Sequence, residues 1–282
     1  AGDCPLSDAP RPSPFHARKS KPHEIVVLSK CGAAGRPRPV THGNGVSVSQ
    51  TPPTADATPS DCERIIIVGA GGFGREVLQW ARHAWPEHVH KMAGFVSADP
   101  TKLDGHAASL PILATPDDFE LRPTDGLLLA IGIPHVRRKV VEGLEARGAR
   151  FLTLVHSTAI VADTAVIGPG SVICPYAVVS DAVRLGRCVL VNYHASLGHD
   201  AEAGDYAVLS PYATLGGAAR IDDDVFLALH AAVGPGVVVG ACSSVAAGAV
   251  TLHNAPAGSL VFGVPGRHVA HVSPLCERSA GK

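Results

Sequence analysis

His199 and Asp200 are neighbours in the sequence, and Gly217 follows a short way downstream. Brought together, these three would make an acyl-transfer constellation. The imidazole takes a proton from a nucleophile, the carboxylate orients the ring, and an unobstructed amide meets a developing oxyanion. A second group suits a phosphate: Gly69, Gly71 and Gly74 fit G-x-G-x-x-G, with Gly72 and Phe73 inside it, between an apolar run at 65–68 and a helical stretch at 75–83. Without Cβ atoms the backbone can approach a phosphate, and the helix N-terminus supplies unpaired N–H groups and a partial positive charge. Both patterns have plainer counterparts. His199 is one of 15 histidines, and an exposed turn histidine needs no chemistry. A glycine-rich turn also serves simply to let a strand and a helix pack closely.

What would position His199 is a period of six. Every sixth residue from Val155 to Val245 is Val, Ile or Leu at 15 of 16 positions, Ala203 being the exception. The residue four places later is always Ala, Val or Ser. Spacings of three and four would mark a helix and simple alternation a hairpin array, so a strict six predicts a parallel β-helix. Three hexads make one triangular coil, so the 16 hexads over 155–250 make a little over five coils. The aliphatic residues are expected to point inward, with the small ones letting the backbone turn. Pro169, Pro175, Pro211 and Pro235 all sit two places after an inward residue, which marks that place as a corner where a missing N–H does little harm. His199 occupies such a corner. Residues three hexads apart stack on the next coil about 4.8 Å away, so Gly217 lies beside it. Asn192, His194 and His230 interrupt the array; the two histidines are expected on a cleft or surface, and Asn192 in a polar contact.

Upstream, apolar runs at 65–68, 92–96, 110–113 and 127–131, with helices at 75–83 and 136–147, predict a small parallel α/β domain over 61–150. It is too short for a complete dinucleotide fold. Asp99 suits a ribose hydroxyl, or only a turn before Pro100; Arg137 or Arg138 suits a phosphate, or only a solvated helix face. Residues 1–60 hold 10 of the 23 prolines and few apolar patches, as a disordered extension would. The β-helix domain is then 151–282. A formal charge of −1 provides no basic field for nucleic acid. Apolar runs such as 127–131 fall far short of the roughly 20 residues of a membrane helix, and no signal-peptide core is visible. Seven cysteines without a C-x-x-C suit reduced thiols, and a cytoplasmic location is expected.

Several segments together resemble a known family. They are the glycine loop at 65–73, Ala130-Ile131-Gly132 followed by Arg137-Arg138-Lys139, the hexads carrying Asn192 and Gly198-His199-Asp200, and the closing Val261-Phe262-Gly263-Val264-Pro265-Gly266-Arg267. Over about residues 63–270 the chain is similar to the sialic-acid O-acetyltransferase and bacillosamine or perosamine N-acetyltransferase family of sugar acyltransferases. The resemblance implies a Rossmann-like α/β domain before a left-handed parallel β-helix, assembled as a homotrimer. It implies acetyl-CoA as co-substrate, no metal, and a nucleotide-linked amino sugar as acceptor, usually a UDP or GDP 4-amino-4,6-dideoxyhexose. The catalytic roles pass to His199 and Asp200, and the amide that binds the acetyl carbonyl to Gly217. The expected substrate contacts are Gly69, Gly71, Gly72, Phe73, Asp99, Arg137 and Asn192; the expected coenzyme contacts are Gly217, Leu229, Ala247 and Arg267. Ser97-Ala98-Asp99 departs from the paired acids common at that strand end, which leaves base selectivity open. Residues 1–60 have no counterpart in the family.

The implied reaction is acetyl transfer to a sugar 4-amino group. The same base serves a hydroxyl, so sialic-acid-type O-acetylation is the alternative. Two readings come from other classes. A γ-type zinc carbonic anhydrase would use His194 and His199, since three imidazoles can hold zinc, but Thr158 stands six hexads before His194, where a histidine would be needed, and the pair is out of register. A non-catalytic scaffold would use the β-helix only to trimerise a nucleotide-binding domain.

Overall fold

The computed structural model describes residues 58–107 and 110–270, so the expected extension falls outside the described residues as far as residue 57. Four parallel strands, β1 (Arg64–Val68), β2 (Met92–Val96), β3 (Ile112–Ala114) and β4 (Asp125–Leu129), lie in the order β3-β2-β1-β4. Helix α1 (Gly72–Ala84) follows β1 and α2 (Pro134–Glu145) follows β4. The run Ile65-Ile66-Ile67-Val68 is buried on both sides, as an unbroken apolar strand requires. Ile65 and Ile67 pack toward Val77, Leu78 and Ala81 of α1, while Val68, Leu127 and Leu129 meet Val141 and Leu144 of α2. The strand expected at 110–113 starts later because Pro111 has no N–H to give; its carbonyl instead accepts from Phe95 N at 2.9 Å.

From residue 154 onward the chain winds as a three-sided prism of two-residue parallel strands. Face 1 starts at Leu154–Val155, face 2 at Ile160–Val161 and face 3 at Val166–Ile167, and each face takes every third strand thereafter. The faces have seven, six and five parallel rungs, and a bridge from Val239 to Ala255 extends the third. That is about six coils, slightly more than the hexads promise, because the last coil closes without the period: Ser259–Phe262 pairs with the rung before it and then turns into an antiparallel hairpin with Arg267–Ala270. The inward aliphatic column is buried from Ile173 to Val245. Val155 differs, at 38% exposed, because it lies in the first rung with no coil before it.

The corners explain the strict period. From the third corner onward two residues turn and the second takes positive φ: Tyr176, Ala182, Cys188, His194, Asp200 and so on to Cys242, with φ from 53° to 62°. Gly170, Gly236 and Gly248 fill the same place elsewhere. Proline before a positive-φ residue is type II turn chemistry, which is why all four prolines stand one residue earlier. The small residue after each turn, such as Ala177, Ala195, Ala201 and Ala213, is buried inside the prism. Its role is therefore to fit the corner of the core, not only to let the backbone bend.

Face 1 is buried on its outer side as well. Val172, Leu190, Val208 and Phe226 join the same apolar cluster as α1 and β1, so the α/β domain rests on this face. Fully burying each such side chain contributes about 1.5–3 kcal/mol. Helix α2 docks on the corner between faces 3 and 1. Arg138 donates from Nε to Asp224 at 2.8 Å with its guanidinium 4.2 Å above the Tyr206 ring, and Arg187 pairs with Glu145.

Candidate active site

His199 occupies the first turn position of the corner between faces 2 and 3, and Asp200 the positive-φ position beside it. The His199 Nδ1 lies 2.8 Å from Asp200 Oδ2. With Nδ1–H donating to the carboxylate, the neutral ring carries its lone pair on Nε2, the form a general base needs. That nitrogen lies over Gly217: a Cβ built on Gly217 would be 2.5 Å from Nε2 and 2.7 Å from Cε1. The next amide along, Ala218 N–H, donates to His199 O at 2.7 Å and locks the two corners together. Gly217 N–H donates to no acceptor among the described residues, and the next coil places Pro235 in that column. The pair is open, with side chains 70% and 64% exposed. A base so exposed needs a second surface to exclude water.

The glycine loop divides into packing and access. Gly69, at φ 114°, has its Cα against the Ala130 carbonyl, where a Cβ would come within 2.5 Å of the oxygen; Gly74 likewise abuts Gly69 O. These two let α1 cross close to β1 and β4. Gly71 has nothing within 4 Å of a built Cβ, and Gly72 only the end of Arg75. The first turn of α1 is thus open to a ligand's approach, and no side chain caps it. Phe73 instead packs into the core edge, edge-on to Trp80 at 5.9 Å, so at most its backbone faces a ligand. Asp99 closes a turn, accepting from Thr101 N at 2.9 Å and Thr101 Oγ1 at 2.7 Å, and these bonds hold its carboxyl below the usual range.

Arg137 corrects the expectation of a phosphate ligand. It is fully buried, and its guanidinium donates to Cys188 O, at 2.8 Å from Nη2, and to Ile131 O. Burial pushes it down to about 10, so it remains charged at neutral pH. It ties the loop after β4 to the β-helix. A sequence signal existed: Arg137 lines up with Val141 and Leu144, the buried stripe of α2.

The remaining expected residues scatter. Asn192, Leu229 and Ala247 lie at the corner between faces 1 and 2, where Asn192 Oδ1 accepts from Tyr193 N at 2.8 Å. Arg267 opens the last strand and is exposed. His194 does not approach His199; it stacks between Tyr176 and Tyr212 at its own corner. One chain therefore presents two half-sites. The α/β domain covers face 1, whereas His199 stands on the opposite edge of the prism, where faces 2 and 3 meet.

Residues 64–144 match the PglD N-terminal domain family. A GDP-perosamine N-acetyltransferase of Escherichia coli O157:H7 is 27% identical over 138 residues, a segment covering 48% of this chain and 62% of that enzyme. PerB from Caulobacter crescentus, solved in complex with CoA and GDP-perosamine, superposes with a TM-score of 0.64 at 25% identity, over 73% of this chain and 97% of that one. The acetyltransferase domain of PglB from Neisseria gonorrhoeae FA1090 does so with a TM-score of 0.55 at 28% identity, over 73% of this chain and 100% of that one. The fold is thus that of the left-handed β-helix acyltransferases with a small α/β domain in front. Within that class the chain is similar to perosamine N-acetyltransferases and to the PglB acetyltransferase domain.

Proposed function

We propose that this chain transfers an acetyl group from acetyl-CoA to the 4-amino group of a nucleotide-linked amino-dideoxy sugar, within a homotrimer. One observation carries the reading: Asp200 holds His199 Nδ1, and Nε2 is poised over a glycine whose N–H has no other partner among the described residues. The kinship with perosamine N-acetyltransferases supports the choice of acceptor. In the reaction the amine nitrogen attacks the thioester carbonyl carbon, and the carbonyl electron pair moves onto oxygen, where Gly217 N–H meets it. The nitrogen gives its proton to His199 Nε2. The adduct then collapses, the C–S bond breaks, and the CoA thiolate leaves with the proton from the imidazole. The open first turn of α1 receives the nucleotide phosphates, while Leu229, Ala247 and Arg267 line the path offered to the coenzyme.

The half-sites argue for assembly. Face 1 is covered, and face 3 carries Arg184, Glu202 and Arg220, with Arg220 4.0 Å from Glu202. Face 2 presents Ile160, Val178, Ser196, Thr214, Ala232 and Val250, without a charge. That face is the one suited to burial against a second copy, and a heterologous contact repeated three times closes a ring. It would bring one copy's glycine loop toward its neighbour's His199.

The test is CoA thiol release against a panel of UDP- and GDP-linked amino sugars and a free acidic sugar. The His199→Ala chain is expected to assemble normally and lose about 10²–10⁴ in kcat; turnover at the parent rate would remove the assignment. Preference for the free acidic sugar would instead select O-acetylation.

A further inference from the structure

Arg75 stands one turn above Gly72 on the same side of α1. Helical side chains lean toward the N-terminus, and this one does: its Nη2 lies 3.9 Å from a Cβ built on Gly72. The guanidinium thus lies along the rim of the glycine loop. Arg75 N–H donates to Gly71 O at 3.1 Å and opens the helical ladder. The N–H groups of Gly72, Phe73 and Gly74 come before it and donate to no acceptor among the described residues. The guanidinium itself is uncommitted, with no hydrogen bond and no ion pair among the described residues. Glu76 does not hold it: burial raises that carboxyl above its ordinary value and outweighs the opposing pull of Arg75. Other cations of the domain are engaged, Arg137 on the Cys188 and Ile131 carbonyls, Arg138 on Asp224, and Lys102 3.8 Å from Asp99.

We propose that Arg75 binds the anionic group of the acceptor, and that this group is a diphosphate. The inference rests on the reading that the open turn of α1 receives the acceptor. Topology places the crevice here. The chain abuts itself after β1 and β4, at Gly69 and Ala130, and runs on into helices on opposite faces of the sheet. Room is provided by Gly71, whose built Cβ has nothing within 4 Å. The number of donors chooses the anion. A carboxylate has two oxygens, which one guanidinium satisfies through a single bidentate pair. Arg75 together with the amides of Gly72, Phe73 and Gly74 offers more than that pair, a set suited to the several oxygens of a diphosphate. Arg75 thus takes the part that charge alone had suggested for Arg137. It is then a specificity residue: it favours a diphosphate-linked sugar over a free acidic one.

Calorimetry with UDP and with GDP, on the parent, Arg75→Gln and Arg75→Lys chains, tests this without any acetyl transfer. The parent is expected to bind one of the two diphosphates, and to bind it more tightly than the matching monophosphate. Arg75→Gln should weaken that diphosphate about 10- to 100-fold, with a shallower dependence on salt. Arg75→Lys should regain part of the loss, because it returns the charge without the fork. Steady-state thiol release then separates a contact from a structural role. Arg75→Gln should raise KM for the sugar nucleotide by a similar factor, while KM for acetyl-CoA and the thermal midpoint stay near the parent's. Equal diphosphate affinity in the parent and Arg75→Gln, or a parent that binds neither UDP nor GDP, overturns the proposal. An Arg75-dependent KM for a free acidic sugar, with no affinity for either diphosphate, overturns it too and gives the guanidinium to a carboxylate. Arg75-dependent diphosphate binding in a chain that acetylates none of the sugars leaves the proposal standing and rejects the acetyl-transfer reading instead.

Discussion

Replacing Gly217 by alanine separates the position of the base from the presence of the amide. The built Cβ would lie 2.5 Å from His199 Nε2, 2.7 Å from Cε1 and 3.1 Å from Cδ2. An unstrained contact is about 3.5 Å or more, so the imidazole must give way by roughly 1 Å. It can do so, because the ring is largely exposed and the obstacle is its own mobile end. The backbone at 217 has no positive φ to forbid alanine, and the N–H remains. Folding should therefore be nearly unaffected while the base leaves its place. A misplacement of about 1 Å can lower a rate about 10²-fold, equivalent to about 2.7 kcal/mol of activation free energy. Steady-state thiol release with both substrates varied should show this loss in kcat, alongside an unchanged Tm. Gly143→Ala, exposed on α2 with nothing within 4 Å of the added Cβ, is the control and should stabilise slightly. A Gly217→Ala protein within about threefold of the parent kcat would refute the claim that His199 must stay over this glycine.

Other outcomes follow from the domain junction. Arg137→Met should destabilise the chain by about 2–3 kcal/mol, because the Cys188 and Ile131 carbonyls lose their buried donor; a urea midpoint close to the parent's would show that the junction does not depend on it. His156 sits between α1 and face 1, its Nδ1 2.9 Å from Thr158 Oγ1, and burial, with His83 nearby, holds it below its ordinary value. The unfolded chain then takes up a proton more readily than the folded one, so stability should fall as pH drops through about 6.5. A His156→Gln chain should show a shallower acid-side loss in thermal melts across pH 5–7.

Much of the fold was legible because the β-helix is a local repeat. Each hexad names its inward residue, its turn and its small corner residue, so stacking from coil to coil placed His199 against Gly217 before any tertiary contact was known. The same rule, applied at the corner between faces 1 and 2, sets Tyr176, His194, Tyr212 and His230 ring on ring; the stack stays hidden when His194 and His230 are taken singly as surface histidines. Arg137 was misplaced because charge was weighed above its register with Val141 and Leu144. The glycine motif was read correctly as a strand-to-helix turn, yet only the packing distinguishes Gly69 and Gly74, which are close against backbone, from Gly71 and Gly72, which are open.

By itself the sequence determined the prism, its corners and the pairing of base with amide, because period and rung spacing follow from hydrogen bonding between successive coils. Only the tertiary structure decided which face the α/β domain covers. That depends on apolar side chains at Val172, Leu190 and Val208 meeting a helix far earlier in the chain, a contact no local period encodes. From that choice follow the burial of Arg137 and the separation of the glycine loop from His199 on opposite sides of the prism.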